Sequence, residues 1–179
     1  GEMELYKHDR DFVIKINGQD LMSSRQHESE LELARLGCAH LVGSKAPRVL
    51  IGGMGLGYTL RQTLDMLDSH AKVVVGELLS AVAEWSREFF GELNGQPLED
   101  ERVNLKTGDV VSLISRSSGK FDAILLDIDN GPSAMTNSAN SRLYSYEGLM
   151  ACRYALRNQG CLAVWSAEPS KKFERLLVG

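Results

Sequence analysis

Residues 49–57 read Val-Leu-Ile-Gly-Gly-Met-Gly-Leu-Gly, and Glu77 closes the next apolar run, twenty positions after Gly57. This pairing constrains the fold more than any other feature. A buried strand that enters a glycine-rich turn and then a helix brings backbone N–H groups close to a nucleotide-like ligand. An acid at the tip of the following strand can accept from ribose hydroxyls.

The pattern around that turn predicts an α/β protein. From Arg48 onward, short β-type runs alternate with helical stripes. The expected strands are Val49–Ile51, Val73–Val75, Val103–Thr107, Ala123–Leu126 and Leu162–Trp165. The expected helices carry Leu60, Leu64 and Leu67, then Val82, Trp85 and Phe89 from Ser80, then Val110–Ile114. A further helix should carry Leu149, Cys152 and Leu156, capped by Ser145 and stopped by Gly160, and Lys172–Leu177 should start one more. Repeated β-α-β units give a doubly wound, mostly parallel sheet with helices on both faces, and ligands lie beyond the strands' carboxyl ends.

Ahead of this unit, residues 1–22 read as a small antiparallel β-meander. Glu4–His8 and Phe12–Ile16 flank one turn, and Asn17-Gly18 is a two-residue hairpin signal leading to Gln19–Met22. A helix with Leu31, Ala34, Cys38 and Leu41 on one face is expected to start near Ser23, where Ser23-x-x-Gln26 fits a capping box. Residues 23–179 are expected to form one compact nucleoside-binding unit.

Composition narrows the function. A net charge of −4 with scattered Lys and Arg argues against a nucleic-acid partner. No apolar run approaches the roughly 18 residues of a membrane span, and no secretory pattern opens the chain. Cys38, Cys152 and Cys161 lack metal or redox spacing and read as free thiols in a reducing cytoplasm. The four His show no ligand spacing, so no metal is expected. Gly1 in place of Met points to a tag remnant or a cut fragment.

The glycine turn admits four readings. A phosphate loop fits Gly52, Gly57 and Thr59, but Tyr58 stands where the lysine belongs. A dinucleotide fingerprint fits Gly53 and Gly55, but Tyr58 again takes the last position. The tighter G-x-G-x-G of folds that bind S-adenosylmethionine (AdoMet) is met by Gly53, Gly55 and Gly57. The fourth reading is a tight strand-to-helix turn and nothing more.

The acids at the strand ends have double readings too. Glu77 could hold ribose or be a solvated strand-end acid. Asp109, after Gly108, could accept from an adenine amino group or cap the helix at Val110. Asp127 and Asp129 could hold a cation and take a proton from an amine, or serve the turn at Asn130-Gly131-Pro132. The polar stretch from Asn130 to Tyr144 is long for a loop and reads as a lid.

Together these residues resemble the spermidine synthase (aminopropyltransferase) family, within the class I AdoMet-dependent methyltransferase fold, and the short bacterial members above all. The resemblance runs from about Leu21 to Trp165. It implies cofactor-binding roles for Gly53, Gly55, Gly57, Glu77, Gly108 and Asp109, and for Gln26, which the capping box explains equally well. It implies catalytic roles for Asp127 and Asp129. The co-substrate would be AdoMet or decarboxylated AdoMet, the acceptor a small amine or other nucleophile, and the assembly a homodimer.

Four features depart from the family pattern. Leu56 stands where an acid usually contacts the aminopropyl end. The strand-end aspartates are two apart rather than three. Leu79 replaces a second acid after Glu77. The closing antiparallel strands are absent, so a C-terminal part is expected to be missing. Aminopropyl transfer is the leading expectation and methyl transfer the alternative. A non-catalytic module that keeps the fold, and a nicotinamide-dependent oxidoreductase, stay open.

Overall fold

A computed structural model describes residues 2–128 and 141–178. Strands β1 (Met3–His8), β2 (Asp11–Ile16) and β3 (Gln19–Ser23) form the antiparallel meander, in the order β1-β2-β3. Ile16 pairs with Gln19 across a two-residue turn. Asn17 and Gly18 both have positive φ there (50° and 77°), as that hairpin geometry requires.

The main sheet contains β4 (Arg48–Gly52), β5 (Lys72–Glu77), β6 (Val103–Thr107), β7 (Phe121–Leu126) and β8 (Leu156–Val164). Its order is β6-β5-β4-β7-β8 and every pairing is parallel. Strand order reverses between β4 and β7, which opens a crevice beyond their carboxyl ends.

Period-two alternation divides the core. Val49, Ile51, Val73, Val75 and Leu125 face α1 (Glu28–Cys38) and α2 (Tyr58–Met66), against Ala34, Leu60 and Leu64. Leu50, Ile124 and Leu126 face the opposite way, against Val110 and Ile114 of α4 (Val110–Ser115) and Cys152 of α5 (Tyr146–Ala155). Such two-sided burial is why β4 and β7 read as unbroken apolar runs. A third cluster joins Phe12 and Ile14 of the meander to Leu56, to Val82 of α3 (Ser80–Trp85) and to Phe90. The last helix, α6 (Lys171–Val178), buries Phe173 edge-on against Tyr144, with ring centroids 5.6 Å apart. No helix among the described residues is long and apolar enough to cross a membrane.

Three sequence expectations need correction. Helix α1 starts at Glu28 rather than near Ser23, because Ser23 pairs with Val13 and stays in the sheet. The Ser23 hydroxyl accepts from the Arg25 N–H at 3.3 Å, so Ser23 and Gln26 form no capping box. After α3, residues Ser86–Phe90 make a π-helical turn. The wider turn shifts the helical phase by one residue, which buries Phe90 completely and leaves Phe89 48% exposed. Third, α5 ends at Ala155, and Leu156 opens β8 opposite Phe121. Gly160 therefore lies inside the strand, in a bulge where Gln159 adopts a φ of 64°. The cap at Ser145 is as expected, its hydroxyl accepting from the Gly148 N–H at 3.2 Å.

Candidate functional site at the strand ends

The glycine turn sits on the topological switch point. Gly53 N–H donates to the Gly76 carbonyl and Asp127 N–H to the Gly52 carbonyl, both at 2.9 Å. These bonds draw the ends of β4, β5 and β7 together. A Cβ on Gly53 would lie 2.3 Å from the Asp127 carbonyl oxygen, and the residue has a φ of 83°. Only glycine fits there. Gly57, at φ 91°, starts α2.

Glu77 ends β5 and is 7% exposed. One carboxylate oxygen accepts from the Met54 N–H at 2.9 Å, the other from the Leu79 N–H at 2.8 Å. The acid is thus clamped to the glycine turn. A carboxylate has about four acceptor sites, so capacity for two ribose hydroxyls is left.

One strand further out, Gly108 N–H donates to the Glu77 carbonyl at 2.8 Å. Asp109 caps α4, accepting from the N–H groups of Val111 (2.9 Å) and Ser112 (3.3 Å) and from the Ser112 hydroxyl (3.0 Å). The capping reading of Asp109 is therefore realised.

On the opposite side of the crevice, Asp127 follows β7. Burial pushes its carboxyl up to about 6. Asp129 lies outside the described residues, as do Asn130-Gly131-Pro132 and most of the expected lid. Gln26 is exposed and lines a cleft of about 560 Å³ on the meander, with Tyr6, Asp11 and Arg25 among its neighbours.

Two further residues shape the site. Tyr58 stacks on His27, with ring centroids 4.1 Å apart and planes 9° off parallel, and its hydroxyl donates to the Ser24 carbonyl at 3.4 Å. Thr59 donates to the Glu30 carbonyl at 3.3 Å. Together they fasten the start of α1 over the turn. Glu30 results: its Oε1 lies 3.4 Å from where a Gly55 Cβ would be. Burial first, and then the charge of Asp127, push its carboxyl up to about 8. Glu30 was not among the candidates read from the sequence. A usable signal was present, since Glu30, Ala34 and Cys38 fall four apart, in line with the buried stripe of α1.

Leu56, the departure inside the turn, is 2% exposed and packs in the cluster that joins the meander to α3. Its carbonyl accepts from the Asn94 side-chain amide at 2.8 Å. No group of three or more His, Cys, Asp or Glu among the described residues could hold a metal ion.

An all-parallel sheet with this strand order and a glycine turn at the switch point define a methyltransferase-like α/β fold. Residues 35–174 match the model of the spermine/spermidine synthase domain, and the chain belongs to that family. It is 32% identical over 132 residues to a polyamine aminopropyltransferase of Saccharolobus solfataricus, covering 73% of this chain and 42% of the relative. It is 28% identical over 115 residues to one of Thermoplasma volcanium, covering 64% and 41%. The chain thus spans less than half the length of these curated relatives. Among solved structures it resembles a spermidine synthase in complex with the transition-state analogue AdoDATO. The TM-score is 0.74 at 22% identity, covering 90% of this chain and 53% of that one. A spermidine synthase from Thermotoga maritima gives 0.71 at 20% identity, covering 90% and 52%.

Proposed function

We propose that this chain binds decarboxylated AdoMet at the switch point and transfers its aminopropyl group to a small amine. The observation that carries this reading is Glu77 clamped beside the glycine turn, with Asp127 at the end of the neighbouring strand β7, in a chain of the spermine/spermidine synthase family. The free acceptor sites of Glu77 would take both ribose hydroxyls. Gly53, Gly55 and Gly57 let the sulfonium lie against the backbone, and Gly108-Asp109 would border the adenine. The α4 cap takes three of the Asp109 carboxylate's acceptor sites, so one remains for the adenine amino group beside the backbone. Gln26 would act from the meander side.

The chemistry is a displacement at carbon. The amine lone pair attacks the aminopropyl carbon bonded to the sulfonium sulfur. The C–S bond breaks, its electrons neutralise sulfur, and methylthioadenosine leaves. An amine with a pKa near 10 arrives protonated, so a base must take that proton before or during attack. Asp127, ionised above about pH 6, would do so, and the sequence offers Asp129 as a second acid. Holding nucleophile and electrophile in line supplies much of the acceleration, up to about 7–11 kcal/mol for well-aligned groups.

Incubating the protein with decarboxylated AdoMet and a panel of amines tests this. Release of methylthioadenosine with a matching alkylated amine is expected. Binding of methylthioadenosine without turnover on any amine would leave a non-catalytic nucleoside module. Stabilisation by NAD or ATP alone would overturn the reading altogether.

A further inference from the structure

Glu30 is a partly buried acid of the rim that the proposed reaction leaves without a task. Its carboxylate has no hydrogen-bond partner and no paired cation among the described residues. The groups that reach it are Asp127 from the end of β7 and Tyr58 from α2, and neither is a cation. Its Oε1 faces Gly55, 3.4 Å from where a Cβ on that residue would stand. That is the part of the turn where the sulfonium's tail must lie once the ribose is on Glu77. Resting on the reading above, we infer that Glu30 is the specificity-determining residue that receives the ammonium of the aminopropyl tail and rejects the carboxylated tail of AdoMet.

The chemistry discriminates the two ligands. Decarboxylated AdoMet ends in an ammonium alone, whereas AdoMet adds a carboxylate beside it. Once ionised by the arriving ammonium, a partly desolvated carboxylate at this point pairs with the first and repels the carboxylate of the second. Leu56 supplies no charge there, because it is buried in the apolar cluster below the turn.

The arriving ammonium also has a proton consequence. Near neutral pH the Glu30 carboxyl, raised to about 8, holds its proton in the free protein. Pairing with the ammonium ionises it, so binding releases close to one proton. Methylthioadenosine has no ammonium and releases none.

Calorimetric titration at pH 7 in buffers of different ionisation enthalpy tests this. The ligands are decarboxylated AdoMet, AdoMet and methylthioadenosine, and the proteins are wild type and Glu30→Gln. Wild type should bind decarboxylated AdoMet at least about tenfold tighter than AdoMet, with proton release. In Glu30→Gln that preference should shrink about tenfold and proton release should vanish, while methylthioadenosine affinity stays within about twofold. Methylthioadenosine binding also reports that the variant is folded. Equal loss of all three ligands, or no change in the preference, would overturn the role of Glu30 and leave the nucleoside site standing. Failure of wild type to bind methylthioadenosine would instead remove the site itself, and this inference with it.

Discussion

At Glu77 each carboxylate oxygen accepts a backbone N–H, whereas at Glu30, across the same glycine turn, neither oxygen has a partner among the described residues. Both acids sit at the rim of one crevice. The first holds the ends of β4 and β5 in place, so its burial is compensated. The second is partly buried, lies near Asp127, and has its carboxyl pushed up to about 8. An acid that serves the fold satisfies itself locally. An acid left desolvated without a partner is a candidate for binding something that arrives later.

The comparison can be broken most severely at Leu56. Leu56→Asp places a carboxylate among Phe12, Ile14, Val82 and Phe90, all buried. Lost packing and an unpaired acid should together cost about 3–5 kcal/mol in a urea melt. A near-neutral result would mean that this position opens towards the ligand rather than the core.

Asp127→Asn should lower turnover about 10²–10⁴-fold and leave methylthioadenosine affinity unchanged. In the wild type the reactive base is the ionised form, so kcat should fall as pH drops through about 6. A flat acidic limb in the pH–rate profile would assign the base elsewhere.

The two glutamates should then respond oppositely to the same change. Glu77→Gln keeps one acceptor but turns an amide NH₂ towards a backbone donor, so it should lose about 1–3 kcal/mol of stability. Glu30 has a carboxyl raised above its usual 4.5, so its burial favours the protonated form. Its cost to the fold is absent below about pH 4.5 and grows as pH rises towards 8. Glu30→Gln should therefore be more stable than wild type at pH 9, by about 2 kcal/mol after allowance for partial solvent access, and no different at pH 4. Equal destabilisation by both variants would erase the distinction.

The smallest effect belongs to Tyr58→Phe. It removes a long 3.4 Å hydrogen bond and keeps the stack on His27, so the thermal midpoint should move by less than about 2 °C.

The strands, the switch point and the clamped acid were legible because each is a local pattern with one physical cause. Unbroken apolar runs mark strands buried on both faces, glycines mark a backbone that must pass close to its neighbour, and Glu77 follows such a run directly. What stayed hidden depended on partners far along the chain. Ser23 and Gln26 spell a capping box, yet pairing with Val13 holds Ser23 in a strand. Phe89 carries the right spacing, yet a π turn hands the core to Phe90. Leu156 continues a helical stripe, yet Phe121 recruits it into β8. Glu30 looks like one of several acids on α1, and only the fold brings it over Gly55.

The proposed function depends on a sulfur-linked adenosine occupying the ends of β4 and β5. A crystal soaked with methylthioadenosine should show its ribose hydroxyls within hydrogen-bond distance of the Glu77 carboxylate, with the thioether beside Gly53–Gly57. Finding the nucleoside elsewhere, or that rim filled by this chain's own side chains, would contradict it.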